Sequence, residues 1–269
     1  MCNFVHTKPL KMMKQRIVII GSGNVATALA VAAASKCDIV QVYSRTLTHA
    51  QQLAQRVHCP LATNRLDRLE KDADIYIIAV SDDAIAQIVS EVPDNGALWI
   101  HTSGSKPIGL FSGKRKRFGV MWPMQSFSKQ LSVDFVEVPL FIEASSPEAH
   151  KALHRFASTL SHTVMEADSH RRARLHLASV FACNFSNHMY TLAQEVLDED
   201  GLPFDVLKPL IRTTVEKLQN LSPTESQTGP AARADHQVME RQASMLTGDK
   251  QAIYRLISQS IMDRHHTDK

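Results

Sequence analysis

The stretch that most constrains this chain is Arg16-Ile17-Val18-Ile19-Ile20, followed at once by Gly21-Ser22-Gly23-Asn24-Val25-Ala26. The β-branched run predicts a buried strand, the glycines a tight turn, and the small residues over 26–34 a helix. Strand, glycine turn and helix in that order are the setting in which G-x-G-x-x-A holds the pyrophosphate of a dinucleotide. Gly21 permits the turn, Gly23 lets a phosphate approach the backbone, and Ala26 lets helix and strand pack closely. The helix N-terminus adds free N–H groups and the positive end of its dipole. Ser22, Asn24 and Val25 complete the residues expected to touch the cofactor here. Without the rest of the chain, the same residues would also serve as an ordinary βα turn.

Downstream, the strand and helix signals alternate. A second strand over 38–43 runs into Ser44-Arg45-Thr46. An Asp or Glu at that place would bind a ribose 2′-hydroxyl, whereas Arg beside small hydroxyl residues suits a 2′-phosphate. The expected cofactor is therefore NADP (NADPH). An almost continuously apolar strand over 74–80 delivers Val80 and Ser81 to the same cofactor, with Ser81-Asp82-Asp83 opening the next helix. Strands over 97–100 and 119–121 open into His101-Thr102-Ser103-Gly104-Ser105 and Trp122-Pro123-Met124-Gln125-Ser126. Loops at the carboxyl ends of parallel strands carry ligands, which makes His101 and Ser103 candidate catalytic groups and Gln125 a candidate substrate contact. A strand over 140–144, a helix led by Pro147 and a last strand over 162–167 complete this half.

From Ser169 onward the pattern is helical, with a boundary expected near 168. At 100° per residue, a helix over 174–197 gathers Ala178, Phe181, Ala182, Phe185, Met189, Leu192, Ala193 and Val196 on one side. His176, Asn184, Asn187 and Thr191 fall opposite, with Val180 among them. Neutral hydrogen-bonding groups in place of Lys and Glu suit a face turned toward a polar substrate, so His176 and Asn184 join the catalytic candidates and Asn187 the substrate contacts. A satisfied polar stripe in a core is the competing reading. Pro230, in Gly229-Pro230-Ala231-Ala232-Arg233, reads as the first residue of a helix whose start could hold an anion. Arg233 is the candidate for a substrate carboxylate.

Composition removes other classes. Of 269 residues, 44% are hydrophobic and 21% charged, as expected of a globular protein, and a net charge of +3 is too mild to imply nucleic acid. The run Lys114-Arg115-Lys116-Arg117 is expected to be a solvated loop. No apolar stretch approaches the roughly 20 residues of a membrane span. Four cysteines without metal spacing indicate no metal site and fit a reducing, cytoplasmic setting. The first twelve residues lack the apolar core of a signal peptide and read as a disordered extension, or as sequence upstream of a start at Met13.

Taken together, these residues resemble the superfamily of 6-phosphogluconate dehydrogenase, 3-hydroxyisobutyrate dehydrogenase and pyrroline-5-carboxylate reductase. More closely, they resemble an uncharacterised NADP-binding branch of it. GSGNVA at 21–26, YSRT at 43–46, HTSGS at 101–105, PMQSFS at 123–128, HLASVFACNFSNH at 176–188 and QTGPAARAD at 227–235 carry the likeness. The resemblance implies an α/β fold: a doubly wound, mainly parallel Rossmann-like sheet over 13–168, then an all-α domain over 169–269 for substrate and dimerisation. It implies an active cleft between the two domains and a homodimer. The hydroxyacid dehydrogenases of that superfamily carry a catalytic Lys four residues before an Asn. Here Val180 precedes Asn184 and Cys183 precedes Asn187 at that spacing, and no Lys lies between Lys151 and Lys208. With that group missing, His176 or His101 is the expected acid/base.

The expected function is NADP-dependent oxidoreduction of a small oxo- or imino-acid. A non-catalytic NADP sensor or scaffold is the first alternative. An enzyme of prephenate dehydrogenase type is the second, with Trp122 standing where those enzymes have His.

Overall fold

Strand β1 (Arg16–Ile20) is apolar after its first residue because both of its faces are covered, and Ile17, Val18, Ile19 and Ile20 are fully buried. In this computed structural model residues 14–128 and 133–266 are described, so the expected extension over 1–12 falls outside the described residues. The sheet continues with β2 (Asp38–Tyr43), β3 (Leu61–Thr63), β4 (Ile75–Ile78), β5 (Leu98–His101), β6 (Arg117–Pro123), β7 (Leu140–Ala144) and β8 (Val164–Glu166). Its order is β3-β2-β1-β4-β5-β6-β7-β8. Every described pairing is parallel except that of β6 with β7. The chain winds outward in both directions from β1 and β4, which makes their carboxyl ends the switch point where ligands bind in such sheets.

Helices α1 (Asn24–Ala34) and α2 (Leu47–Arg56) pack on one face against Ile17 and Ile19. Helix α3 (Asp82–Glu91) covers the other face, against Val18 and Ile20, and α4 (Pro147–Leu160) returns to the first. Each fully buried aliphatic side chain contributes about 1.5–3 kcal/mol, so two covered faces hold the sheet rigid beneath its loops. Arg115 departs from the expected solvated loop. It is buried, lies 4.3 Å over the Trp99 ring and donates to the Val92 carbonyl. A planar guanidinium stacks on an aromatic face where an ammonium would stay hydrated.

The remaining helices are α5 (Ser169–Ser179), α6 (Ser186–Asp198), α7 (Lys208–Lys217), α8 (Pro223–Ser226), α9 (His236–Ser244) and α10 (Gly248–His266), with a π-helical turn at Val180–Phe185. The strands end at Glu166, and the chain divides into two compact units at Cys183/Asn184. Helix α5 belongs to the first unit because its opening turn is anchored to that unit's sheet. Arg172, fully buried, pairs with Glu143 of β7 and donates to the carbonyls of Ala167 and Lys106 at 3.1 and 3.0 Å. Ser169 Oγ accepts from the Ile108 amide at 3.1 Å.

Two local expectations change. The π turn means that the 100° spacing does not run unbroken from His176 to Asn187, and Phe181 and Phe185 on the supposed buried side are exposed. At Pro230 there is a three-residue 3₁₀ turn, Ala231–Arg233, ended by Ala234 in the left-handed region. The next helix begins at His236, with the Asp235 carboxylate accepting from the Val238 amide. The expected helical anion site at Pro230 is therefore not formed, since the cap position already holds an anion.

Candidate functional site

At the β1/β4 switch point the first unit holds a cleft of about 660 Å³. Its floor is the turn from Gly21 to Val25. Gly21 has φ +129°, and a Cβ there would lie 2.0 Å from the Ala79 carbonyl oxygen, so only glycine fits between the strands. Around Gly23 a Cβ would meet nothing within 4 Å, which leaves its backbone open to the cleft. Helix α1 has neither a side-chain cap nor an acidic residue in its first turn. Its leading N–H groups are thus free for an anion.

One wall is built from Tyr43, Ser44, Arg45, Thr46 and His49. The Ser22 and Ser44 hydroxyls meet at 2.8 Å, tying the glycine turn to the end of β2. Helix α2 likewise starts at Thr46 without a side-chain cap or an acid in its first turn. Arg45 and His49 are exposed beside that helix start. The opposite wall is Val80, Ser81 and Asp82 with the inner face of α3. All ten residues expected to touch the cofactor line this cleft.

The far end is formed by Thr102, Ser103, Gly104, Ser105 and His176. Ser103 Oγ accepts from the amides of Ser105 and Lys106 at 3.2 and 3.1 Å. Ser105 Oγ donates to Asp82 Oδ2 and lies 3.4 Å from Ser103 Oγ. With its acceptor sites filled by backbone and the Ser105 hydrogen committed to Asp82, the Ser103 O–H is the donor in the 3.4 Å contact with Ser105 Oγ, a long bond that it can exchange for one to a ligand. Asp82 and Ser105, read in the sequence only as parts of Ser81-Asp82-Asp83 and HTSGS, were not among the candidate site residues. Their pairing joins the loop after β5 to the start of α3, across 23 residues.

The other candidates lie elsewhere. His101 is fully buried beneath the loop, stacked on Phe111 at 5.7 Å, with Nδ1 accepting from the Ser103 amide at 3.2 Å. Burial first, and the nearby Arg172 charge second, push its pKa down to about 4. Gln125 is exposed, and its side-chain oxygen accepts from the Ser126 amide at 2.8 Å. Asn24, besides lining the cleft, donates to the Phe127 carbonyl at 2.9 Å. Asn184, Asn187 and Arg233 belong to the second unit, where each is exposed. Among the described residues no cluster of His, Cys, Asp and Glu could hold a metal ion. No described helix is long and apolar enough to cross a membrane.

Comparison with known proteins follows the same division. A family described as NADP oxidoreductase coenzyme F420-dependent matches residues 16–103, and a domain of unknown function, DUF2520, matches residues 138–261. Among solved structures, a Bacteroides fragilis protein described as an NADP oxidoreductase is 46% identical, covering 93% of this chain and 99% of its own, with a TM-score of 0.86. A reductive aminase from Aspergillus terreus, solved with NADPH and ethyl-5-oxohexanoate, is 12% identical over 94% of this chain and 95% of its own (TM-score 0.72). An imine reductase from Myxococcus stipitatus, solved with NADP+, is 15% identical over 94% and 93%, at a TM-score of 0.65. These last two show a shared fold. No curated protein matches the chain. With a relative nearly half identical along almost its whole length, the chain belongs to the NADP oxidoreductase family in which a Rossmann domain is followed by a DUF2520 domain.

Proposed function

We propose that this protein binds NADP(H) in the cleft of its first unit and uses it to reduce a C=O or C=N bond of a small oxo- or imino-compound, or in reverse to oxidise the corresponding alcohol or amine. The observation that carries the reading is the continuity of that cleft. It leads from two uncapped, acid-free helix starts, suited to the pyrophosphate and the 2′-phosphate, to a Ser103 hydroxyl and an imidazole. Gly21 to Val25 would hold the pyrophosphate, and Ser44, Arg45 and Thr46 the 2′-phosphate, with His49 an added donor. NADPH supplies the hydride when bound.

The chain's own groups handle the rest. Ser103 Oγ donates a hydrogen bond to the oxygen or nitrogen of the reacting bond. The Ser105–Asp82 pair holds that loop in place. His176 passes a proton to the same heteroatom, or removes it in reverse. His101, neutral and enclosed, supports the loop from below and is not the acid/base in this reading. Asn184, a catalytic candidate from the sequence, and Asn187 and Arg233, candidate substrate contacts, are given no step in this reading. The solved reductive aminase and imine reductase, which share the fold, support an imine as a substrate class.

We also place the protein as a homodimer in the cytosol. Among the described residues of the second unit only Ala231, Met239 and Ala243 are buried hydrophobics, while Leu210, Val215, Leu218, Met245 and Leu256 are exposed. A helical unit of that size cannot form a core of its own with so much apolar surface in water, and a second copy would cover it. Cys37, Cys59 and Cys183 are free, as suits a reducing compartment.

The test is direct. NADPH should bind with a rise in its fluorescence, and bound NADPH should be consumed on addition of a cyclic imine or an oxo-acid with an amine. Tight NADPH binding without turnover across such a panel, and with no change in His176→Gln, would favour a sensor or scaffold.

A further inference from the structure

His176 is the one cleft-lining residue that comes from α5, and it is exposed. Among the described residues no hydrogen bond reaches its ring. An acid/base must sit within about 2.6–3.2 Å of the atom it serves, and an exposed side chain free to visit several staggered rotamers would be there only part of the time. What the ring does meet is Trp122. The two centroids lie 5.9 Å apart with the planes at 72°, the edge-on arrangement that aromatic rings prefer.

Trp122 is itself fixed on two other sides. It stands directly opposite Phe141 in the β6–β7 register, with centroids 5.5 Å apart. A Cβ on Gly104 would come within 2.6 Å of Trp122 Cε2, so the indole is pressed against the backbone of the loop that carries Ser103 and Ser105. Only glycine permits that approach. One rigid ring thus touches both the loop bearing the hydroxyl donors and the helix bearing the imidazole. Arg172, one turn before His176, ties the helix to the Lys106 carbonyl of that loop. Helix and loop are therefore already in register, and Trp122 sets the remaining freedom, the orientation of the imidazole.

We propose that Trp122 is a positioning residue for this site: it holds the His176 ring edge-on at the cleft and keeps it aimed toward the Ser103 hydroxyl. It acts through His176 and touches no reacting atom. The proposal rests on the reading of His176 as the group facing the cofactor, and the two can fail separately.

Histidine labelled with ¹³C at Cε1 gives each of the 13 imidazoles its own signal, and His176→Gln identifies the one of interest. In the wild-type protein, NADPH should displace the His176 signal; if it does not, the reading of His176 as cofactor-facing fails. In the protein without added cofactor, Trp122→Leu should take that signal to the position of an unstructured histidine. Trp122→Phe should retain most of the ring-current displacement, and both variants should bind NADPH as the wild type does. The His176 Hα–Hβ couplings should report one staggered χ1 in the wild type and in Trp122→Phe but rotamer averaging in Trp122→Leu, and couplings unchanged in Trp122→Leu overturn the proposal, whatever NADPH does. Should the leucine variant not fold, a nuclear Overhauser contact between His176 Hε1 and the indole protons in the wild type decides, and its absence likewise overturns it.

Discussion

The fully buried guanidinium of Arg172 is paired through Nη1 with Glu143 Oε2, across 29 residues of sequence. The pair joins α5 to β7, and its other hydrogen bonds reach the carbonyls of Ala167 and Lys106. Removing one partner of such a pair costs about 3–5 kcal/mol, because the other charge stays buried alone. The Glu143 side chain is 19% exposed, so water softens the loss when Arg172 is the one removed. Glu143→Leu should therefore destabilise more than Arg172→Met. Urea unfolding of both variants measures the difference, and equal small losses would show that solvent already screens the pair.

Acidification should destabilise the protein through His101. Its pKa falls from an ordinary value near 6.5 to about 4 in the folded state, mainly by burial. The unfolded chain therefore binds the proton first, and stability declines as pH drops below about 6.5 and levels off below about 4. The full effect is about 3 kcal/mol. Unfolding at pH 7.5, 6, 5 and 4 should show this slope, and His101→Phe should flatten it.

The two glycines of the turn should separate folding from binding. Gly21→Ala places a Cβ against the Ala79 carbonyl at a φ that disfavours it, so its melting temperature should fall steeply. Gly23→Ala meets nothing within 4 Å and should melt like the wild type. It should nevertheless lose NADPH affinity by about tenfold or more, because the methyl occupies the approach of the pyrophosphate. Thermal melts beside cofactor titrations distinguish the two.

Arg45→Asp should weaken NADPH binding by about 1.5–3 kcal/mol, the worth of a charge-assisted contact to the 2′-phosphate. NADH, which lacks that phosphate, should be little affected. Equal losses for both cofactors by fluorescence titration would show that Arg45 acts elsewhere.

Leu210 on α7 is 64% exposed among other uncovered apolar residues. If a second copy covers it, wild-type protein should scatter light as a dimer at micromolar concentration, and Leu210→Glu should shift the population to monomer. A monomeric wild type would remove the dimer.

The chain's order along itself determined much of this protein. Arg16–Ile20 followed by Gly21-Ser22-Gly23 specifies a strand, a turn and a helix through local physics alone: β-branched burial, a backbone that only glycine adopts, and a helix start left open. Ser44, Arg45 and Thr46 were legible for the same reason, since their place at the end of β2 follows from strand periodicity. Helical periodicity singled out His176, which lines the cleft, but it could not foresee the π turn at Val180–Phe185, because nothing in an apolar pattern reports one extra residue in a turn. Nor could it separate His101 from Ser103. Two residues apart, at the end of β5 and on the loop that follows it, they differ in that the imidazole is sealed against Phe111 while the hydroxyl faces the cleft. Arg115, inside a basic run, gave no sign that Trp99 would cover it. Arg172 with Glu143, Ser105 with Asp82, and Trp122 with Gly104 are decided only by tertiary structure. Each pairing depends on strand register and helix placement across tens of residues, and the energy that selects it, burial of a charge or a close backbone approach, exists only once those elements have packed.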